Sequence, residues 1–132
     1  MIDTHCHLTN PQLYSRAKEV IDDACTAGVH MMISVATDGD DAITAMELAQ
    51  TDDRIYFSSG IHPLHADGDW NWEKVQQAGQ DSRCVAWGEL GLDRHHAKPP
   101  FNLQMKLLEE HLSMIEGTED DPRPIIVHCR KA

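Results

Sequence analysis

Positive charge is scarce in this chain: its 132 residues hold 11 Lys and Arg against 22 Asp and Glu, a formal net charge of −11. That excludes a broad basic surface of the kind that grips nucleic acid through its phosphates. Long apolar runs are missing too, and the first residues are acidic rather than basic, so neither a membrane span nor a secretory signal is legible. The four cysteines, Cys6, Cys25, Cys84 and Cys129, stand far apart with no C-x-x-C. This removes a zinc ribbon and a disulfide framework, and leaves reduced, buried thiols in a cytoplasmic protein as the expectation. No internal repeat, low-complexity tract or interdomain linker interrupts residues 1–132, a length that suits one domain with a real core.

What is present begins at the N-terminus. In MIDTHCHL, Asp3, His5 and His7 alternate, and alternate residues of a strand share a face. One carboxylate and two imidazoles therefore gather on one side, with Asp3 as a supporting acid. Paired His with an orienting carboxylate suits Zn²⁺ or a similar divalent ion.

Beyond that strand the apolar periodicity predicts a helix over 11–27, a buried strand at 31–37 (MMISVAT) and a helix over 40–51 with an Asp-rich start. A strand at 54–61 ending on His62-Pro63 follows, then a helix around 70–80, a strand at 84–90 (CVAWGEL), a helix over 101–116 and a strand at 124–128. The pattern is α/β, with about five parallel strands and four intervening helices, because parallel neighbours need crossovers of helical length. A doubly wound nucleotide fold calls for a Gly-rich turn after the first strand, and HLTNPQ has no glycine. The expectation is a (β/α)8 TIM-barrel type of fold, incomplete at five of eight strands.

In such a fold, chemistry gathers at the C-terminal ends of the strands. Those ends hold His5 and His7, then His62, then Glu89, then His128. Glu89 lies on an apolar strand between glycines, where a lone carboxylate is costly unless paired or metal-bound. His62 is expected in a supporting or substrate-contacting role and His128 as a ligand. His30, His65, His95, His96 and His111 read as surface or loop histidines, with only His65 placed near the rim. A phosphate substrate would need metal ions, or Arg94, Lys98, Arg130 and Lys131, to offset the acidic field; otherwise those bases are solvated surface.

DTHCHL at 3–8, GIHP at 60–63, GELGLD at 88–93, Gln104, and PIIVHCRKA at 124–132 together resemble the TatD-type family of metal-dependent deoxyribonucleases, a branch of the amidohydrolase-like barrel hydrolases. The resemblance implies that His5 and His7 hold one metal, that Glu89 bridges two, and that His128 holds the second. Asp3 and Asp93 are implied as supporting residues; His62 and Arg130 are expected to touch substrate or to support the ligands. It also implies two divalent ions (Mg, Mn or Zn), DNA as substrate, and hydrolysis of phosphodiester bonds by an exonuclease with Glu89 in the catalytic set. Two closely spaced cations can activate water and stabilise a leaving oxygen with no Ser or Cys nucleophile.

Members of that family are roughly twice this length, and carry a further His and a late Asp as ligands on later strands. The expectation is therefore the N-terminal part of a TatD-type barrel. Its last strand presents an open edge, which a second copy or a complementing C-terminal segment would cover. A non-catalytic metal-binding fragment is the alternative. A cyclic-amide hydrolase fits less well, since such enzymes commonly carry a metal-bridging lysine where this chain has Glu89.

Overall fold

In the computed structural model, which describes residues 1–118 and 120–132, five strands lie parallel in the order of the chain. They are β1 (Ile2–Cys6), β2 (Met31–Val35), β3 (Ile55–Ser59), β4 (Cys84–Asp93) and β5 (Ile125–Arg130). A strand order that never reverses, joined by crossovers of one hand, keeps the helices on one face of the sheet, as in a barrel wall. This is the incomplete TIM-barrel type expected. A doubly wound sheet would reverse its order and carry helices on both faces.

The helices are α1 (Pro11–Tyr14), α2 (Ala17–Thr26), α3 (Gly39–Thr51), α4 (Trp72–Gly79) and α5 (Phe101–Glu116), with a 3-10 turn at Pro63–His65. The single helix expected over 11–27 is thus two pieces. Asn10 caps the first by accepting from the Gln12 N–H, but Leu13 is exposed, so no packing holds that turn in line with α2. Burial begins at Ala17 and Ile21, and helices of this length depend on such packing. In α3, Asp38 accepts from the Asp41 N–H at 2.9 Å while Asp40 and Asp41 occupy the first turn, where the helix dipole favours negative charge.

Strand β4 runs to Asp93 and β5 to Arg130, both beyond the ends expected from the apolar runs. The polar ends stay in the sheet because the ladder continues through Gly91↔His128 and Asp93↔Arg130. One core cluster, including Ile21, Met32, Ala45, Ile55 and Phe57, fills the space between β1–β3 and the first helices. A second, with Ile61, Val75, Trp87 and Leu107, lies under α4 and α5. His111, expected at the surface, is fully buried in α5, where its Nε2 accepts from the Ile61 N–H at 3.2 Å. Cys84 is buried as expected, but Cys6 and Cys25 are only half-buried and Cys129 is exposed, on a strand with a neighbour on one side only among the described residues. No helix among the described residues is long and apolar enough to cross a membrane.

Candidate metal centre

Four strands deliver side chains to one spot. Glu89, 8% exposed on β4, divides its carboxylate between two directions: Oε2 lies 3.3 Å from His5 Nε2, and Oε1 lies 2.9 Å from His128 Nδ1. Two groups of donors result, His5–His7–Glu89 and His62–Glu89–His128. Within each, one atom per residue lies inside 4.8 Å of the others. Glu89 is common to both.

Glycine makes this convergence possible. Gly91 adopts φ +145°, and a Cβ there would come within 2.0 Å of the His128 carbonyl oxygen. Only a residue without a side chain lets β4 lie so close to β5 in that conformation. On the other flank, the Leu8 N–H donates to buried Ser34 Oγ at 3.2 Å, tying the end of β1 to β2 beside His7.

Hydrogen-bond partners fix which nitrogen of each imidazole is free. His7 Nδ1–H donates to the Val35 carbonyl at 2.8 Å, so its Nε2 carries the lone pair a metal needs. His128 Nε2–H donates to Asp93 Oδ2 at 3.0 Å, which leaves the lone pair on Nδ1, between Glu89 and the ring nitrogen of His62. An imidazole lone pair and a carboxylate oxygen 2.9 Å apart repel each other. The arrangement calls for positive charge at that spot, from a proton or a divalent ion. The donor set therefore fits a metal.

His62 is built the other way. Its Nδ1 accepts from the Leu64 N–H at 3.1 Å, so the ring proton sits on Nε2, 3.1 Å from His128 Nδ1. Although close enough to be grouped with ligands, it is a hydrogen-bond donor beside them. Burial pushes its pKa down to about 4, which keeps the ring neutral.

Asp93 is almost fully buried. Burial raises its pKa, yet hydrogen bonds from the His95 and His96 backbone N–H groups, His96 Nδ1 and His128 outweigh that and hold the carboxyl well below the usual range. Asp3 is placed differently from a ring-orienting acid: its Oδ1 accepts from the His5 backbone N–H at 3.1 Å. Arg130 lies in register with Asp93, at the exposed end of β5. A cleft of about 540 Å³ adjoins His7, lined also by Thr9, Asn10, Asp38 and His65.

A sequence profile described as TatD related DNase matches residues 2–132. The chain belongs to this family. It is 33% identical, over 98% of its length, to the uncharacterized metal-dependent hydrolase YjjV of Escherichia coli K12, and covers 51% of that protein. The crystal structure of YjjV superposes with a TM-score of 0.88 at 31% identity, over 99% of this chain and 51% of the other. The 3'-5' ssDNA/RNA exonuclease TatD of Yersinia pseudotuberculosis is 30% identical over the whole chain, which again spans 51% of it. This TatD-family chain thus spans about half the length of the curated relatives it matches.

One buried polar residue outside the expected ligands holds the backbone of Asp93. Gln104, 1% exposed in α5, accepts from the Asp93 N–H at 2.8 Å and donates to the carbonyls of Asp93 and Pro99, each at 2.9 Å. A polar residue on the buried stripe of a helix was the available signal.

Proposed function

We propose that this chain supplies the first five strands of a TatD-type barrel, together with the His5, His7, Glu89 and His128 portion of a two-metal centre that hydrolyses phosphodiester bonds in DNA as an exonuclease. The observation that carries this reading is the split carboxylate of Glu89, one oxygen toward His5 and the other toward His128. A bridging role asks for that division. The exonuclease named from Yersinia pseudotuberculosis supports the substrate class.

His5 and His7 would hold one divalent ion and His128 the other, with Glu89 between them. The imidazole-rich set favours Zn²⁺ over Mg²⁺. When bound, such a pair supplies an activated water and offsets charge on the leaving oxygen. Asp93 fixes the tautomer of His128, the Val35 carbonyl fixes that of His7, and His62 keeps a neutral N–H beside the centre, directed at His128 Nδ1.

A second reading rests on the sheet edge. Val127 on β5 is 65% exposed and, among the described residues, β5 pairs with β4 alone, so a complementing segment or a second copy would cover it. On this view the chain binds metal without turning over DNA until that edge is covered.

Metal content by elemental analysis, and nucleotide release from DNA with and without added Zn²⁺ or Mn²⁺, separate the two. The hydrolase reading expects metal-dependent release that Glu89→Ala abolishes. Release unaffected by Glu89→Ala, or cleavage of cyclic amides in place of DNA, would overturn it. Stoichiometric metal without release supports the second reading.

A further inference from the structure

Seven of the eleven lysines and arginines reach a carboxylate within ion-pair distance, Arg54 with Asp22 and Asp52 and Arg83 with Asp53 among them. The other four are Arg94, Lys98, Arg130 and Lys131. No ion pair involves any of them among the described residues, and all four are exposed. Arg94 and Arg130 come together in space, since the Arg94 N–H donates to the Arg130 carbonyl at 2.9 Å and Asp93 and Arg130 are partners in the ladder; Lys131 is next in the chain, and Lys98 lies in the loop that leads from Arg94 to α5. Residues 94–108 and 122–132 contain no Asp or Glu. In a chain of net charge −11, the lysines and arginines without an ion pair among the described residues follow the ends of β4 and β5.

The rim at those strand ends borders the candidate centre. Arg130 stands two residues after His128 on the same strand, hence on the same face. Arg94 follows Asp93, whose carboxylate holds His128. The Arg94 guanidinium lies over the Phe101 ring, 3.9 Å from its centroid, and both line a cavity of about 290 Å³ with Asp93, His96 and Gln104. A flat cation on an aromatic ring is a surface on which an unpaired base can stack. The remaining cations suit successive phosphates.

We propose that the rim formed by Arg94, Lys98, Arg130 and Lys131 is a docking track for a single-stranded polynucleotide, with a base stacked on the Arg94–Phe101 pair and phosphates held by the other three. This rests on the phosphodiesterase reading for its substrate class, and adds where the strand lies. It also explains how an acidic chain holds an anionic polymer: the repulsive field is relieved locally, along the approach to the centre.

The test is fluorescence anisotropy of the full chain with labelled oligo-dT in EDTA across a salt series. The wild type is expected to bind at low salt with affinity falling steeply as salt rises. R94Q/K98Q/R130Q/K131Q is expected to lose at least about tenfold in affinity, and about 2 to 3 in the slope of log Kd against log salt, from about 0.7 per phosphate contact on a single strand. R16Q/K18Q, on the helical side, is the control and should bind as wild type. Absence of binding by the wild type, equal loss in the control, or equal affinity for a duplex of the same length overturns the proposal. If the fourfold variant does not fold, R94Q/K98Q leaves β5 untouched and, removing one of the three phosphate contacts, should show about a third of the slope change. Wild type that binds oligo-dT but does not cleave it removes the hydrolase reading and leaves the track standing. Wild type that cleaves with a KM unchanged in the fourfold variant does the reverse.

Discussion

Asp93 Oδ2 accepts from His128 Nε2–H at 3.0 Å, and this one contact decides which nitrogen of His128 faces Glu89. Replacing the acid by its amide removes the charge that holds the imidazole in this tautomer. Asp93→Asn is expected to weaken Zn²⁺ binding about 10- to 100-fold, measured by chelator competition. An affinity equal to the wild type's would detach Asp93 from the centre.

Gln104 is expected to matter through the backbone of Asp93. Gln104→Leu leaves the Asp93 N–H and the carbonyls of Asp93 and Pro99 without their partner in a buried site. The expected loss is about 2 to 4 kcal/mol of stability, read from urea unfolding. A variant as stable as wild type would show that water replaces the side chain there.

Gly91 and Gly28 make a matched pair for testing close strand approach. Both have positive φ, +145° and +94°, but a Cβ at Gly91 meets the His128 carbonyl oxygen at 2.0 Å while one at Gly28 meets nothing within 4 Å. Gly28→Ala should cost about 1 to 2 kcal/mol from conformation alone. Gly91→Ala should cost about 3 kcal/mol or more and disturb metal binding as well. Equal thermal shifts in the two variants would refute the steric account.

His111 predicts a pH dependence of stability. Burial lowers its pKa from 6.5 to about 4, so the unfolded chain takes up the proton more readily than the folded one. The neutral ring's contribution is full above pH 6.5 and is lost as pH falls toward 4, by about 2 kcal/mol between pH 7.5 and 5. Urea midpoints across this range should fall less for His111→Leu than for wild type. Parallel curves would assign the acid sensitivity to other groups.

Much of the fold was legible because its signals are local. Short apolar runs alternating with helical stripes define parallel strands and crossovers. Asp38 ahead of Asp40 and Asp41 marks the start of α3 from charge and capping alone. The expected continuous helix over 11–27 breaks because Leu13 fits the apolar stripe in sequence but is not buried, and burial begins only at Ala17. His111 was misread for the reverse reason: a polar letter on a helix gives no sign that the Ile61 N–H lies opposite it.

At the centre, the sequence by itself determined the cast: His5, His7, His62, Glu89 and His128, each at the end of a strand that periodicity already marks. Only the tertiary structure decided their parts. Whether an imidazole offers a lone pair or a proton depends on what its other nitrogen touches. Those partners, the Val35 carbonyl for His7, the Leu64 N–H for His62 and Asp93 for His128, are set by strand register and turn geometry. The same holds for the rim. Eleven lysines and arginines can be counted in the sequence, but packing helps fix which of them find a carboxylate, since Arg54–Asp22, Lys74–Asp40 and Arg83–Asp53 join residues thirty or more apart in the chain.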